Sequence, residues 1–132
     1  MYESYEKKLG HQADFKVSYR FYEEIEGGRK TIPCQGYRSD FFYEHPDHNS
    51  RQNILFMIWP EFENESGQLI LENNISVNRE GIARMWIIMP ERRLYHLDKI
   101  KSGLKGYFME GSRRVAECVV TEILGLSTNP VQ

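Results

Sequence analysis

From Asp14 onward the chain alternates. Phe15, Val17, Tyr19 and Phe21 are apolar or aromatic, and Lys16, Ser18 and Arg20 between them are polar. A period of two predicts a half-buried strand. Glu23–Arg29 (EEIEGGR) ends it, because paired glycines permit positive φ at a turn. Tyr37–Tyr43 (YRSDFFY) is aromatic-rich and strand-like, and Glu44–Gln52 is a polar loop. Asn53–Phe62 (NILFMIWPEF) predicts a buried strand broken at Pro60, followed by a turn at Asn64–Gly67. Gln68–Val77 predicts one or two short strands and Asn78–Gly81 another turn. Ile82–Met89 is a strong strand closed by Pro90. Leu94–Lys105 is mixed, fitting either a short turn of helix or a crossing strand. Gly106–Met109, a turn at Glu110–Arg113 and Val115–Leu124 form a terminal hairpin. Residues 1–12 are polar and weakly patterned, so a short helix and a tether both fit, and Ser127–Gln132 reads as a tail.

Many short strands with frequent turns and little helical periodicity indicate an all-β sandwich or barrel. A length of 132 residues fits one domain. Hydrophobic residues at 40% and charged residues at 27% exclude disordered, collagen-like and coiled-coil classes. The net charge of −2 supplies no global field for nucleic acid, so any such contact needs a local patch, and DNA binding is not expected. Two cysteines are too few for a disulfide scaffold. The first twelve residues hold no apolar leader, and the longest apolar run, Ile54–Trp59, is far short of a membrane span. The expectation is a cytoplasmic protein with no membrane contact, monomeric or weakly associated.

Candidate chemistry is sparse. His45 and His48 have metal-like spacing, but Asp47 is the only local carboxylate and a structural zinc site closes with four ligands. The pair reads as a solvent-exposed turn, and His11 and His96 as surface or satisfied polar residues. Cys34 and Cys118 lie in strand-like sequence with no adjacent histidine, as small hydrophobes do. Hydrolase, phosphate-loop and dinucleotide motifs do not occur. Glu24 and Glu26, placed on a strand, share one face toward water. No catalytic residue, metal or cofactor is expected. Two basic turns stand out: Arg29–Lys30 follows two glycines, and Arg113–Arg114 follows Gly111–Ser112. If they met in space they would form a small patch for an anionic ligand.

Two stretches are more specific. Glu26–Tyr43 holds Gly27–Gly28–Arg29–Lys30–Thr31, then Gly36–Tyr37–Arg38 with Phe41. Gly103–Leu124 holds Gly103–Leu104–Lys105, Glu110–Gly111–Ser112–Arg113 and Val119–Val120–Thr121–Glu122–Ile123–Leu124. In order and internal spacing they resemble the third, C-terminal domain of bacterial elongation factor Tu. The resemblance spans residues 14–125, closely at its two ends and loosely between, where the connection from Tyr43 to Val77 is longer than in the family. It places a tether or short helix at 1–13 and a C-terminal tail at 126–132.

The resemblance implies a six-stranded antiparallel Greek-key barrel standing without the family's GTPase domain. Tyr37, Phe41, Val119, Val120, Ile123 and Leu124 would supply its interior or packing. It implies a non-catalytic binding module that engages RNA of the tRNA kind, or a GTPase domain or other translation protein. By position, the family's RNA-contacting turns fall at Arg29 and Lys30 and at Glu110 and Gly111, and Arg113 extends the patch. A further contact position holds Asp40 where the family usually has glutamine, and a carboxylate beside phosphate is repelled. The alternative is an interaction or regulatory protein that reuses the barrel for a protein partner with no RNA role.

Overall fold

The computed structural model describes residues 1–48 and 54–132. The chain runs through a short helix α1 (Tyr5–Leu9), β1 (Phe15–Phe21), a 3-10 turn at Glu24–Glu26, β2 (Asp40–Tyr43) and β3 (Ile58–Phe62). It continues with β4 (Glu80–Ile87), a 3-10 turn at Pro90–Arg92 leading into α2 (Arg93–His96), β5 (Lys105–Glu110) and β6 (Arg113–Ile123). The fold is all-β: the six strands form one sheet in the order β2-β5-β6-β1-β4-β3, every neighbouring pair antiparallel. The sheet curls into a half-barrel. Its two edges meet where Phe41 of β2 and Phe56, just before β3, exchange two backbone hydrogen bonds of 3.0 and 2.9 Å.

The alternation in β1 does what its period dictates. Phe15, Val17, Tyr19 and Phe21 are buried, and Lys16, Ser18 and Arg20 lie on the outer side. Inside the curl, the rings of Tyr19, Phe21, Phe62 and Phe108 pack with centroids 5.1 to 6.2 Å apart. In β6 the same period puts Val120 inside but leaves Val119 38% and Ile123 39% exposed, so these two do not fill the interior.

Several expectations are corrected. β3 is not broken at Pro60 but runs through it. β3 is an edge strand, and the N–H of Phe62, two residues on, points away from β4 to the Gln35 side chain. Pro60 therefore occupies a position whose missing N–H costs no ladder bond. Residues 68–77 form no strand and make only isolated bridges, Glu63 with Leu69 and Cys34 with Ser76. Glu24 and Glu26 sit on a 3-10 turn instead of a strand. Of the two readings of 94–105, the helical one holds, as α2. The part of the expected polar loop and strand at 49–53 lies outside the described residues.

Gln35 explains how the open edge is closed. Its side-chain amide accepts from the Phe62 N–H (2.9 Å) and donates to the Phe62 and Ile70 carbonyls (2.9 and 2.8 Å). One buried side chain thereby takes the place of a missing strand, as the satisfaction of buried backbone groups requires.

The C-terminal residues are docked rather than loose. Asp14 and Arg93 form a buried ion pair, 0% and 1% exposed, with Nε 2.6 Å from Oδ1. Asp14 also accepts from the Ile87 N–H (2.8 Å) and from Asn129 Nδ2 (3.0 Å). Arg93 donates to the Ile87 and Pro130 carbonyls. This one network pins the start of β1, the end of β4, α2 and the last residues together. No helix among the described residues is long and apolar enough to cross a membrane.

Candidate binding corner

The glycine turn before Arg29 is fixed by space and by backbone. Gly27 has φ +95°, in the left-handed region, and a Cβ on Gly28 would fall 2.2 Å from the Tyr22 carbonyl oxygen. Neither position tolerates a side chain cheaply. The chain leaves this turn with Arg29 directed at the β5–β6 hairpin. There Glu110 and Arg113 face each other in register across Gly111 and Ser112. Gly111, with φ +61°, takes the first central position of the two-residue loop, where type II′ turns place glycine.

The two basic turns do meet. Arg29 Nη1 donates to Glu110 Oε2, and Arg113 Nη2 donates to Glu110 Oε1 at 3.0 Å. The Tyr37 hydroxyl also donates to Oε2, and the Arg29 guanidinium lies over the Tyr37 ring, 5.0 Å from its centroid. Arg29 Nε donates to the Thr31 carbonyl. Burial alone would raise the Glu110 carboxyl, but its hydrogen bonds from Tyr37, Arg29 and Arg113 prevail and hold it below the ordinary glutamate value. Burial and the Glu110 carboxylate together push the Tyr37 phenol up, so it stays a donor.

Lys30 is exposed and takes part in no ion pair among the described residues. Asp40 is half-buried at the start of β2, opposite Met109, one step along the ladder from Glu110. The contacts bring Arg29, Tyr37 and Arg113 together at Glu110; Lys30 follows Arg29 in the chain, and Asp40, paired with Met109, joins none of these hydrogen bonds or ion pairs among the described residues. The sequence marked Glu110 as part of a turn; its role as the carboxylate shared by both arginines depends on a contact 81 residues apart, which no local pattern carries.

Other polar groups escape the sequence pattern. His48 is buried, not solvent-exposed: Nδ1 donates to the Tyr43 carbonyl at 2.9 Å, and Nε2 meets the Tyr95 hydroxyl at 3.0 Å. His96 is buried against the Tyr43 hydroxyl, 2.7 Å from Nδ1, and burial lowers it to about 4, so it is neutral near pH 7. Burial also pushes the Cys118 thiol up, away from reactivity, and both cysteines are free. Glu61, wholly buried, accepts from Tyr2, Tyr5 and Trp86; its only sequence signal is a carboxylate inside an apolar run. Among the described residues no group of three or more His, Cys, Asp or Glu side chains is arranged to hold a metal.

Comparison with protein-family models and with curated proteins gives no match to this chain.

Proposed function

We propose that this chain is a non-catalytic binding module of the elongation factor Tu C-terminal type, and that the Arg29–Lys30–Arg113 corner contacts the phosphate backbone of RNA. The Greek-key form of the barrel belongs to the same reading. The observation that carries it is the meeting of the two basic turns at Glu110, from opposite ends of the domain. Glu110 orients the guanidiniums without consuming them. A guanidinium offers five N–H donors in a fixed fork, and the contacts to Glu110 and Thr31 engage two of those on Arg29. Such a fork suits phosphate. Asp40 works against it by charge.

A second reading keeps the corner and changes the ligand to a protein of the translation apparatus. Two observations favour it: Glu110 already answers both arginines, and Ile25, four residues before Arg29, is 93% exposed. The readings part in one experiment. Fluorescence anisotropy with a labelled RNA hairpin should show binding that weakens steeply with salt. Absence of RNA binding, together with a stoichiometric partner from cell extract that survives nuclease, would replace the first reading by the second.

A further inference from the structure

We infer that the N-terminal segment, residues 1–9, positions the binding corner through the strap Gly36–Tyr37–Arg38; the inference rests on the corner being the contact surface. The segment is held by few groups. Glu61 Oε2 accepts from the Tyr2 hydroxyl (2.6 Å) and the Tyr5 N–H (2.7 Å), while Trp86 Nε1 donates to Oε1 (2.9 Å). The Tyr5 ring sits in a slot between Trp86 and Trp59, with centroids 5.7 and 6.3 Å away. The Tyr2 N–H donates to the Leu71 carbonyl. Glu61 has no cation partner among the described residues, so its burial depends on these neutral donors, two of the three supplied by the segment.

The strap touches both sites. The Tyr2 ring lies against the open face of Gly36, 3.7 Å from where a Cβ would stand, and Gly36 has φ +97°. The Arg38 guanidinium stacks over the Trp59 ring at 4.7 Å, beside Tyr5. Tyr37, between them, points to the corner, where its hydroxyl meets Glu110 and its ring underlies Arg29. Gly36 closes a turn in which the Tyr37 N–H donates to the Cys34 carbonyl, so the two residues gripped by the N-terminal segment flank the one that supports the corner. Docking of Tyr2 and Tyr5 fixes Gly36 and Arg38, and these fix Tyr37 under Arg29 and Glu110. The helix α1, five residues long, has no stability of its own and depends on this slot.

Nuclear magnetic resonance on the full chain tests this by hydrogen exchange. In Tyr5→Ala, exchange at the Tyr37 amide and the Arg29 side-chain Nε–H should speed at least about tenfold, while amides of β1 and β6 keep their protection. Tyr2→Phe removes only one hydroxyl and should move the same two signals in the same direction, less far. If Tyr5→Ala lowers protection in every strand alike, Tyr2→Phe decides. Unchanged exchange at Tyr37 and Arg29 with residues 1–9 released would overturn the inference. RNA affinity of Tyr5→Ala should fall about fivefold, a modest coupling. Failure of the unsubstituted chain to bind RNA would sink the proposed function, and the exchange data would still judge the positioning.

Discussion

Replacing Arg93 with methionine removes the cation from a carboxylate that no water reaches. Arg93→Met keeps much of the side-chain volume but strands Asp14, which is 0% exposed, with only the Ile87 N–H and Asn129 Nδ2 as donors. It also strips the Ile87 and Pro130 carbonyls of their guanidinium donors. Breaking a buried pair from one side costs about 3–5 kcal/mol, because a buried charge is left without compensation. At this chain length that corresponds to a fall in melting temperature of roughly 10–20 °C. Urea unfolding followed by tryptophan fluorescence gives the free energy directly, with Trp86 in the affected region. The double variant Asp14→Asn/Arg93→Met should be destabilised by less than the two single effects added together, with a coupling of at least about 2 kcal/mol. A single-variant cost below about 1 kcal/mol, or strict additivity, would refute the idea that this pair pins the start of β1 and the last residues to the sheet.

Two more consequences follow from buried polar groups. Gln35→Leu should cost about 2–4 kcal/mol, since three hydrogen bonds are lost and the Phe62 N–H and Ile70 carbonyl lose the Gln35 partner while the Phe62 carbonyl keeps the Ile70 N–H, and hydrogen exchange should speed at the Phe62 amide. His96 is held at about 4 against an unfolded value near 6.5, so the unfolded chain binds its proton first. Its contribution to stability is complete above about pH 6.5 and disappears as pH falls toward 4; His96→Gln should flatten the stability profile across that window in acid unfolding.

The periodicity of β1 and the terminal hairpin were legible because each is local: a two-residue period and a two-residue glycine turn. The run through Pro60 was not, because a proline reads as a break unless the strand is known to lie at an edge with its N–H side outward. The short bridges of 68–77 failed as strands for a related reason. The Gln35 side chain already fills the β3 edge at Phe62 and also bonds the Ile70 carbonyl. At the corner, the glycines, Arg29 and the turn at Glu110–Arg113 were visible in sequence. The dependence of both arginines on one carboxylate was not. Nor was the burial of His48, which depends on Tyr95 as well as the nearby Tyr43 carbonyl, or of Glu61, whose partners lie on segments remote in sequence.

Binding of RNA phosphate at the Arg29–Lys30–Arg113 corner has a direct readout in salt. The quantity to measure is the slope of log affinity against log salt for a labelled RNA hairpin, compared among the unsubstituted chain, Arg29→Ala/Lys30→Ala and Asp40→Gln. Removing one phosphate contact should flatten the slope by about one unit, so the double variant should fall by up to about two while remaining folded. Asp40→Gln should tighten binding by replacing the carboxylate at the contact position where the family usually has glutamine. An unchanged slope in the double variant, together with unchanged or weaker binding in Asp40→Gln, would contradict RNA binding at this corner.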